Sequence, residues 1–112
     1  MYFTPMRELF VDRYCGALLD TERTTPFGED TVVWTVRGHM FAAYAVGGDG
    51  VSVRLAGKIA AQQMVGQGRA KSPPYLRGEG WVSFPWDTPL DELRGRINKS
   101  YRLVLKDGNA VH

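Results

Sequence analysis

Two β-branched and aromatic runs, Thr31-Val-Val-Trp-Thr-Val36 and Met40-Phe-Ala-Ala-Tyr-Ala-Val46, are separated by nothing more than Arg37-Gly38-His39. That spacing is a hairpin signal, with Gly38 supplying the turn. Gly47-Gly48-Asp49-Gly50 then turns the chain into Val51-Ser-Val-Arg-Leu55, where apolar and polar residues alternate. The segment 31–55 therefore predicts a three-stranded antiparallel meander. Met40 to Val46 is apolar at almost every position, which suits a central strand covered on both sides.

Helical patterns flank the meander. Thr4-Pro5 is a helix start, because the Thr oxygen accepts from an orphan N–H and Pro gives up no needed donor at the first helical position. Met6, Leu9, Phe10, Tyr14, Ala17 and Leu18 then recur at helical spacing through about Leu19, and this stripe is expected to dock on the sheet. The polar stretch Asp20 to Asp30 has no periodicity and reads as a loop. Lys58 to Val65 reads as a short helix stopped by Gly66 and Gly68. Gln67 to Pro74 is a Gly/Ser/Pro linker, and Tyr75-Leu76 leads through Arg77-Gly78-Glu79-Gly80 into Trp81-Val-Ser-Phe84, a hairpin or strand return. Thr88-Pro89 starts a last helix whose apolar face is Leu90, Leu93, Ile97, Tyr101 and Val104, with an end expected near Gly108. The fold class is therefore α+β: an antiparallel sheet with the N- and C-terminal helices on one face and a short helix between strands. One domain, 1–108, with a short tail, 109–112, accounts for the length.

Composition narrows the function by exclusion. A chain of 112 residues with 44% hydrophobic and 23% charged residues has room for one core and is neither disordered nor fibrous. Its single Cys forbids an internal disulfide and a Cys-based zinc site, and two His make a transition-metal cage a poor fit, so no metal or other cofactor is expected. No apolar run reaches membrane-spanning length and the N-terminus lacks a signal-peptide pattern, so the expected location is cytoplasmic, with no membrane partner. Cys15, on the boundary of the first helix's apolar face, reads as a small core residue. His39 reads as an exposed turn residue, and nothing orients either as nucleophile or base. Gly47 to Gly50 joins two strands and lacks the Lys-Ser/Thr of a phosphate loop. Asp91 and Glu92 are adjacent on a helix and complement its dipole rather than forming an acid/base pair. No catalytic residue is expected.

The charge distribution is more informative than the net charge of +2. Residues 1–49 carry a net −3 and residues 50–112 a net +5. Arg37 and Arg77 each precede Gly at an expected hairpin tip, His39 follows one, and Arg69 and Lys71 lie in the linker. These are basic projections able to reach phosphates. Arg96, Lys99, Arg102 and Lys106 lie largely off the apolar face of the last helix and read as a solvated surface.

Several spaced segments, Pro26-Phe27-Gly28, Arg37-Gly38-His39-Met40-Phe41-Ala42, Pro73-Pro74-Tyr75-Leu76, Trp81-Val82 and Ser100-Tyr101-Arg102-Leu103-Val104, resemble the MmcQ/YjbR family from the first helix to about Lys106. His39 stands where the family usually has Lys in a Gly-Lys-x-Phe pattern. The resemblance implies a CyaY-like α+β fold and a DNA-binding-like, double-wing description, and it carries over no catalytic residues. Frataxin shares that fold and uses an acidic helix ridge for iron. Here Glu8 and Asp12 alternate with Arg7 and Arg13, so no such ridge forms. The expected function is non-enzymatic nucleic-acid binding, DNA above all. Arg37, His39, Arg69, Lys71 and Arg77 meet the phosphates, Lys58 supports them, and Trp81 or Tyr75 stacks a base. The alternative is a protein-interaction or homodimerisation module using an apolar sheet face; a third is a small-molecule domain with its cleft beside Trp81 and Tyr75.

Overall fold

The computed structural model describes residues 5–73 and 80–110. The elements run α1 (Pro5–Gly16), β1 (Thr21–Thr24), β2 (Thr31–Val36), β3 (His39–Ala45), β4 (Gly50–Arg54), α2 (Lys58–Gly66), β5 (Trp81–Pro85) and α3 (Leu90–Ala110). The five strands form one antiparallel sheet in chain order, with β3 at its centre. The meander is as expected. The terminal helices share one face, where Val32, Trp34, Val36, Tyr44, Val51, Val53, Val82 and Phe84 meet Val11 and Cys15 from α1 and Leu93, Ile97 and Val104 from α3. Among the described residues no helix is long and apolar enough to cross a membrane.

Three expectations are corrected. Thr21–Thr24, expected in a loop, is an edge strand paired with β2. It carries no apolar alternation because its anchoring is polar: the Thr21 hydroxyl, at 2.8 and 3.0 Å from the Cys15 and Leu18 carbonyls, donates to the end of α1, and Thr24 donates to Val33 O. The first helix stops at Gly16 rather than near Leu19, and Asp20 takes a left-handed φ of 64° that redirects the chain into β1. Most consequential, α1 docks through only part of its apolar stripe: Phe10, Tyr14 and Leu18 pack against the edge of the core, while the positions that point straight at the sheet are largely not the stripe's. Its sheet-facing positions are Glu8, Val11, Asp12 and Cys15. The two carboxylates hold that position by accepting from donors on the sheet and its β3–β4 turn. Glu8 accepts from Gly47 N–H, and Asp12 accepts from Trp34 Nε1 at 3.0 Å and the Tyr44 hydroxyl at 2.8 Å. Met6 and Leu9 are left in solvent at 82% and 47% exposure.

A β-bulge shapes the centre of the sheet. Trp34 pairs with Ala42 but Thr35 with Met40, so Phe41 is the extra residue and turns into the core against Tyr101. The β3–β4 ladder stops one pair short of Phe41 and Arg54. Ser100 of α3 fills the break: its hydroxyl donates to Phe41 O at 2.6 Å and accepts from Arg54 N–H at 2.9 Å. On the opposite face Val33 and Ala43 are fully buried, and Ser52 nearly so, beside Met40 and Trp81. The apolar sheet face expected to serve as an interaction surface is thus not open at these positions. Trp86 follows β5 and donates its indole N–H to Gly48 O.

Candidate nucleic-acid interface

One corner of the fold collects several of the expected binding residues. Gly80 takes a φ of +91°, and its carbonyl accepts from Leu55 N–H, pinning the start of β5 to the end of β4. A Cβ at this position would lie 2.7 Å from Leu55 O, so only Gly allows the approach. Gly57, with a φ of +150°, turns the chain from β4 into α2 and accepts from Ala61 N–H. The two glycines set Lys58, the first residue of α2, and Trp81, the first of β5, on the walls of one cleft of about 570 Å³. Val65 and Ala61 give it an apolar lining, and Gln62 and Ser72 supply hydrogen-bonding groups. Trp81 is half-buried.

Lys71 adjoins this corner. Its backbone exchanges two hydrogen bonds with Ser83, of 2.9 and 2.7 Å, so it extends the sheet by one rung beyond β5. Paired residues of an antiparallel ladder share a face, and alternation along β5 gives Ser83 the face of Trp81. Lys58 and Lys71 are exposed and make no ion pair among the described residues. A stacking surface with two available cations beside it can hold an aromatic ring that carries negative charge.

The remaining expected residues are placed elsewhere. Arg37 sits at the β2–β3 turn with a φ of 51°, and its Nε lies 3.2 Å from Asp20. Arg69 lies 2.7 Å from Glu92 in the first turn of α3. Asp20 follows Leu19, whose carbonyl accepts from the Tyr101 hydroxyl, so these two arginines are tied to points on α3 about 14 Å apart along its axis. His39 is exposed at the start of β3, beside Arg37 rather than in the cleft. Tyr75 and Arg77 lie outside the described residues. The basic tips thus do not form one cluster, and sequence reasoning gave Lys58 only a supporting role. What it lacked was the pairing of Gly57 and Gly80, which brings Lys58 and Trp81 together across 22 intervening residues.

Other reactive groups are structural. Cys15 is buried, and burial, reinforced by the nearby Asp12 carboxylate, pushes its thiol up, away from the nucleophilic thiolate. The Tyr44 phenol is likewise pushed up, first by burial and then by its hydrogen bond to Asp12. Arg96, expected on a solvated face, is instead a packing residue, with its guanidinium 5.1 Å above the Phe84 ring and its Nη2 3.8 Å from Met64 Sδ. Lys99, Arg102 and Lys106 are exposed, as expected. Among the described residues no group of three or more His, Cys, Asp or Glu is arranged to hold a metal ion.

The fold and this corner define a small α+β domain: a five-stranded antiparallel meander backed by two terminal helices, with an aromatic and cationic cleft at one edge. A family model described as YjbR matches residues 16–103, and the chain belongs to the YjbR (MmcQ/YjbR) family. The fold is shared with the crystal structure of the Deinococcus radiodurans protein DR2400, which carries a DUF419 domain. The two are 23% identical with a TM-score of 0.74, over 88% of this chain and 78% of that one. No curated protein matches the chain.

Proposed function

We propose that the protein binds single-stranded nucleic acid, without catalysis, at the α2–β5 corner. Trp81 stacks one base, and Lys58 and Lys71 neutralise neighbouring phosphates. The observation that carries this reading is the presence of Lys58, without an ion-pair partner among the described residues, and half-buried Trp81 on the walls of one cleft. Stacking on an aromatic face tolerates any base and contributes about 1–3 kcal/mol per base, while cations track the backbone. The family's DNA-binding-like description supports the same class of partner. Duplex contact through the hairpin tips has less support, because Arg37 and Arg69 already hold carboxylates and are tied to separate parts of α3. The single thiol, Cys15, is buried in the core and is not displayed as a nucleophile at this corner.

Intrinsic fluorescence tests the site directly, because Trp34 and Trp86 are buried and Trp81 is the accessible indole of the three. Titration with a short oligothymidylate is expected to quench the wild type, whereas Trp81→Phe shows almost no quenching and binds more weakly. Quenching that survives Trp81→Phe would refute the stacking role. The cleft volume also falls in the range of small-ligand sites. A nucleoside monophosphate that binds as tightly as the oligonucleotide would make a small aromatic anion the ligand.

A further inference from the structure

The face of α1 opposite the sheet borders a groove. Met6, Leu9, Phe10, Tyr14 and Ala17 from α1 and Leu90 from the first turn of α3 line it, and its volume is about 510 Å³. Phe10 and Tyr14 pack against the edge of the core and stack on each other, with ring centroids 6.1 Å apart and ring planes inclined by 13°. They give the groove a floor that the core holds in place. Met6, Leu9 and Leu90 rise above that floor into solvent, Leu90 at 41% exposure. Apolar side chains that recur at every third or fourth position of a helix and remain in water form the kind of surface that a second helix covers.

The charge around this groove has one sign. Its charged lining residues are Arg13 and Arg94, and no acidic side chain is among the described lining residues. Glu8 and Asp12, the carboxylates of α1, are turned to the sheet and occupied there, so the outer face of the helix is left with positive charge. Arg13 is exposed, one turn beyond Leu9 and Phe10, and makes no ion pair among the described residues. The Arg94 guanidinium lies 6.0 Å from the Phe10 ring centroid, which puts its charge beside the apolar floor. Its pairing with Asp91 at 3.2 Å lies in solvent, because the Asp91 side chain is 94% exposed, and a pair of that kind contributes little and is readily exchanged. We propose that the groove receives an acidic amphipathic helix of a partner protein, whose apolar stripe covers Phe10 and Tyr14 between Met6, Leu9 and Leu90 while carboxylates beside that stripe meet Arg13 and Arg94. A second copy of this chain would bring arginine to arginine, and a concave floor suits a helix better than the plane of a membrane. The groove shares no residue with the α2–β5 cleft, so the inference does not depend on the nucleic-acid reading.

The probe is a synthetic helical peptide of about 14 residues, long enough to span the turns of α1 that line the groove. It carries Leu at every third or fourth position and Glu on both flanks of that stripe, and a twin carries Lys in place of each Glu. Fluorescence anisotropy of the labelled peptides against the full chain is expected to show saturable binding of the acidic peptide and binding weaker by about tenfold or more for the twin. Leu9→Glu is expected to weaken the acidic peptide by a similar factor with an unchanged thermal melt, since that side chain is exposed. Arg13→Glu combined with Arg94→Glu is expected to reverse the preference, making the Lys twin the tighter ligand. An acidic peptide that fails to bind, two peptides that bind equally, or binding indifferent to Leu9→Glu would overturn the proposal. So would a chain that dimerises by itself in sedimentation velocity and loses that dimer with Leu9→Glu, which would give the groove to a second copy, or one that binds phosphatidylglycerol vesicles through Leu9 in preference to the acidic peptide, which would give it to a membrane.

Discussion

Replacing Ser100 with Ala removes one oxygen from a site with no solvent access, and the consequence can be worked out from the sheet. In a regular antiparallel ladder, Arg54 N–H and Phe41 C=O would bond each other as the pair after Ala42 and Val53. The β3–β4 register ends before this pair, and the Ser100 hydroxyl serves both groups, as acceptor of one and donor to the other, at 2.9 and 2.6 Å. The residue is fully buried, so water does not replace it without disturbing α3. Two buried backbone groups left unsatisfied cost about 1–3 kcal/mol each, giving an expected loss of about 2–6 kcal/mol for Ser100→Ala. At roughly 4 °C per kcal/mol for a chain of this size, Tm falls by about 8–24 °C. Urea unfolding is the assay, with an unchanged m-value showing that stability rather than compactness has changed. A loss below about 0.5 kcal/mol, within the range of neutral surface substitutions, would mean that the strands close the ladder directly. The role assigned to Ser100 would then be wrong.

Three further outcomes follow from the same geometry. Asp12→Ala strands the Trp34 indole and Tyr44 hydroxyl donors and is expected to cost about 2–4 kcal/mol in urea unfolding, with Asp12→Asn milder because it keeps one acceptor oxygen; equal losses would show that charge rather than hydrogen bonding matters. The Cys15 thiol and Tyr44 phenol both have folded pKa values raised above their unfolded ones, so the native state favours the protonated forms. Their contribution is complete below about pH 8.5 and is lost as the unfolded thiol and then the unfolded phenol ionise, so urea midpoints should fall from pH 8 to 11, and a flat or rising midpoint would contradict the burial of these groups. Gly80→Ala introduces both a forbidden φ and a clash with Leu55 O, and should lower Tm by several degrees while displacing Trp81, read as a shift in its fluorescence maximum.

The legible parts of this fold were those governed by local pattern. The runs at 31–36 and 40–46, the Gly turns and the Thr-Pro helix start at Thr88 depend on residues a few positions apart, and the sheet and last helix form where they indicate. The face by which α1 docks was legible only in part, through Phe10, Tyr14 and Leu18, because hydrophobic periodicity records only which side is apolar. Glu8 and Asp12 face the sheet because Gly47, Trp34 and Tyr44 present donors there, from positions 22 to 39 residues away. Strand β1 escaped notice for a related reason, since it is held by backbone pairing and threonine hydroxyls rather than by apolar burial. At the candidate site, the residue types were readable but their assembly was not. Arg37 and Arg69 looked like free projections until Asp20 and Glu92 proved to lie within ion-pair distance of them. Lys58 and Trp81 share a cleft only because two glycines permit backbone paths that other residues resist.

The central claim is that Lys58, Lys71 and Trp81 form a nucleic-acid surface, and salt-dependent binding tests it most directly. Fluorescence anisotropy of a labelled single-stranded oligonucleotide would be followed from about 50 to about 200 mM salt, for the wild type and for Lys58→Glu combined with Lys71→Glu. Each cation on a single-strand phosphate contributes about −0.7 to the log–log slope, so the account predicts binding at low salt whose slope is shallower by about 1.4 in the double variant, with affinity reduced at least tenfold. No binding by the wild type at the lowest salt, or a double variant that binds with the wild-type slope, would contradict it.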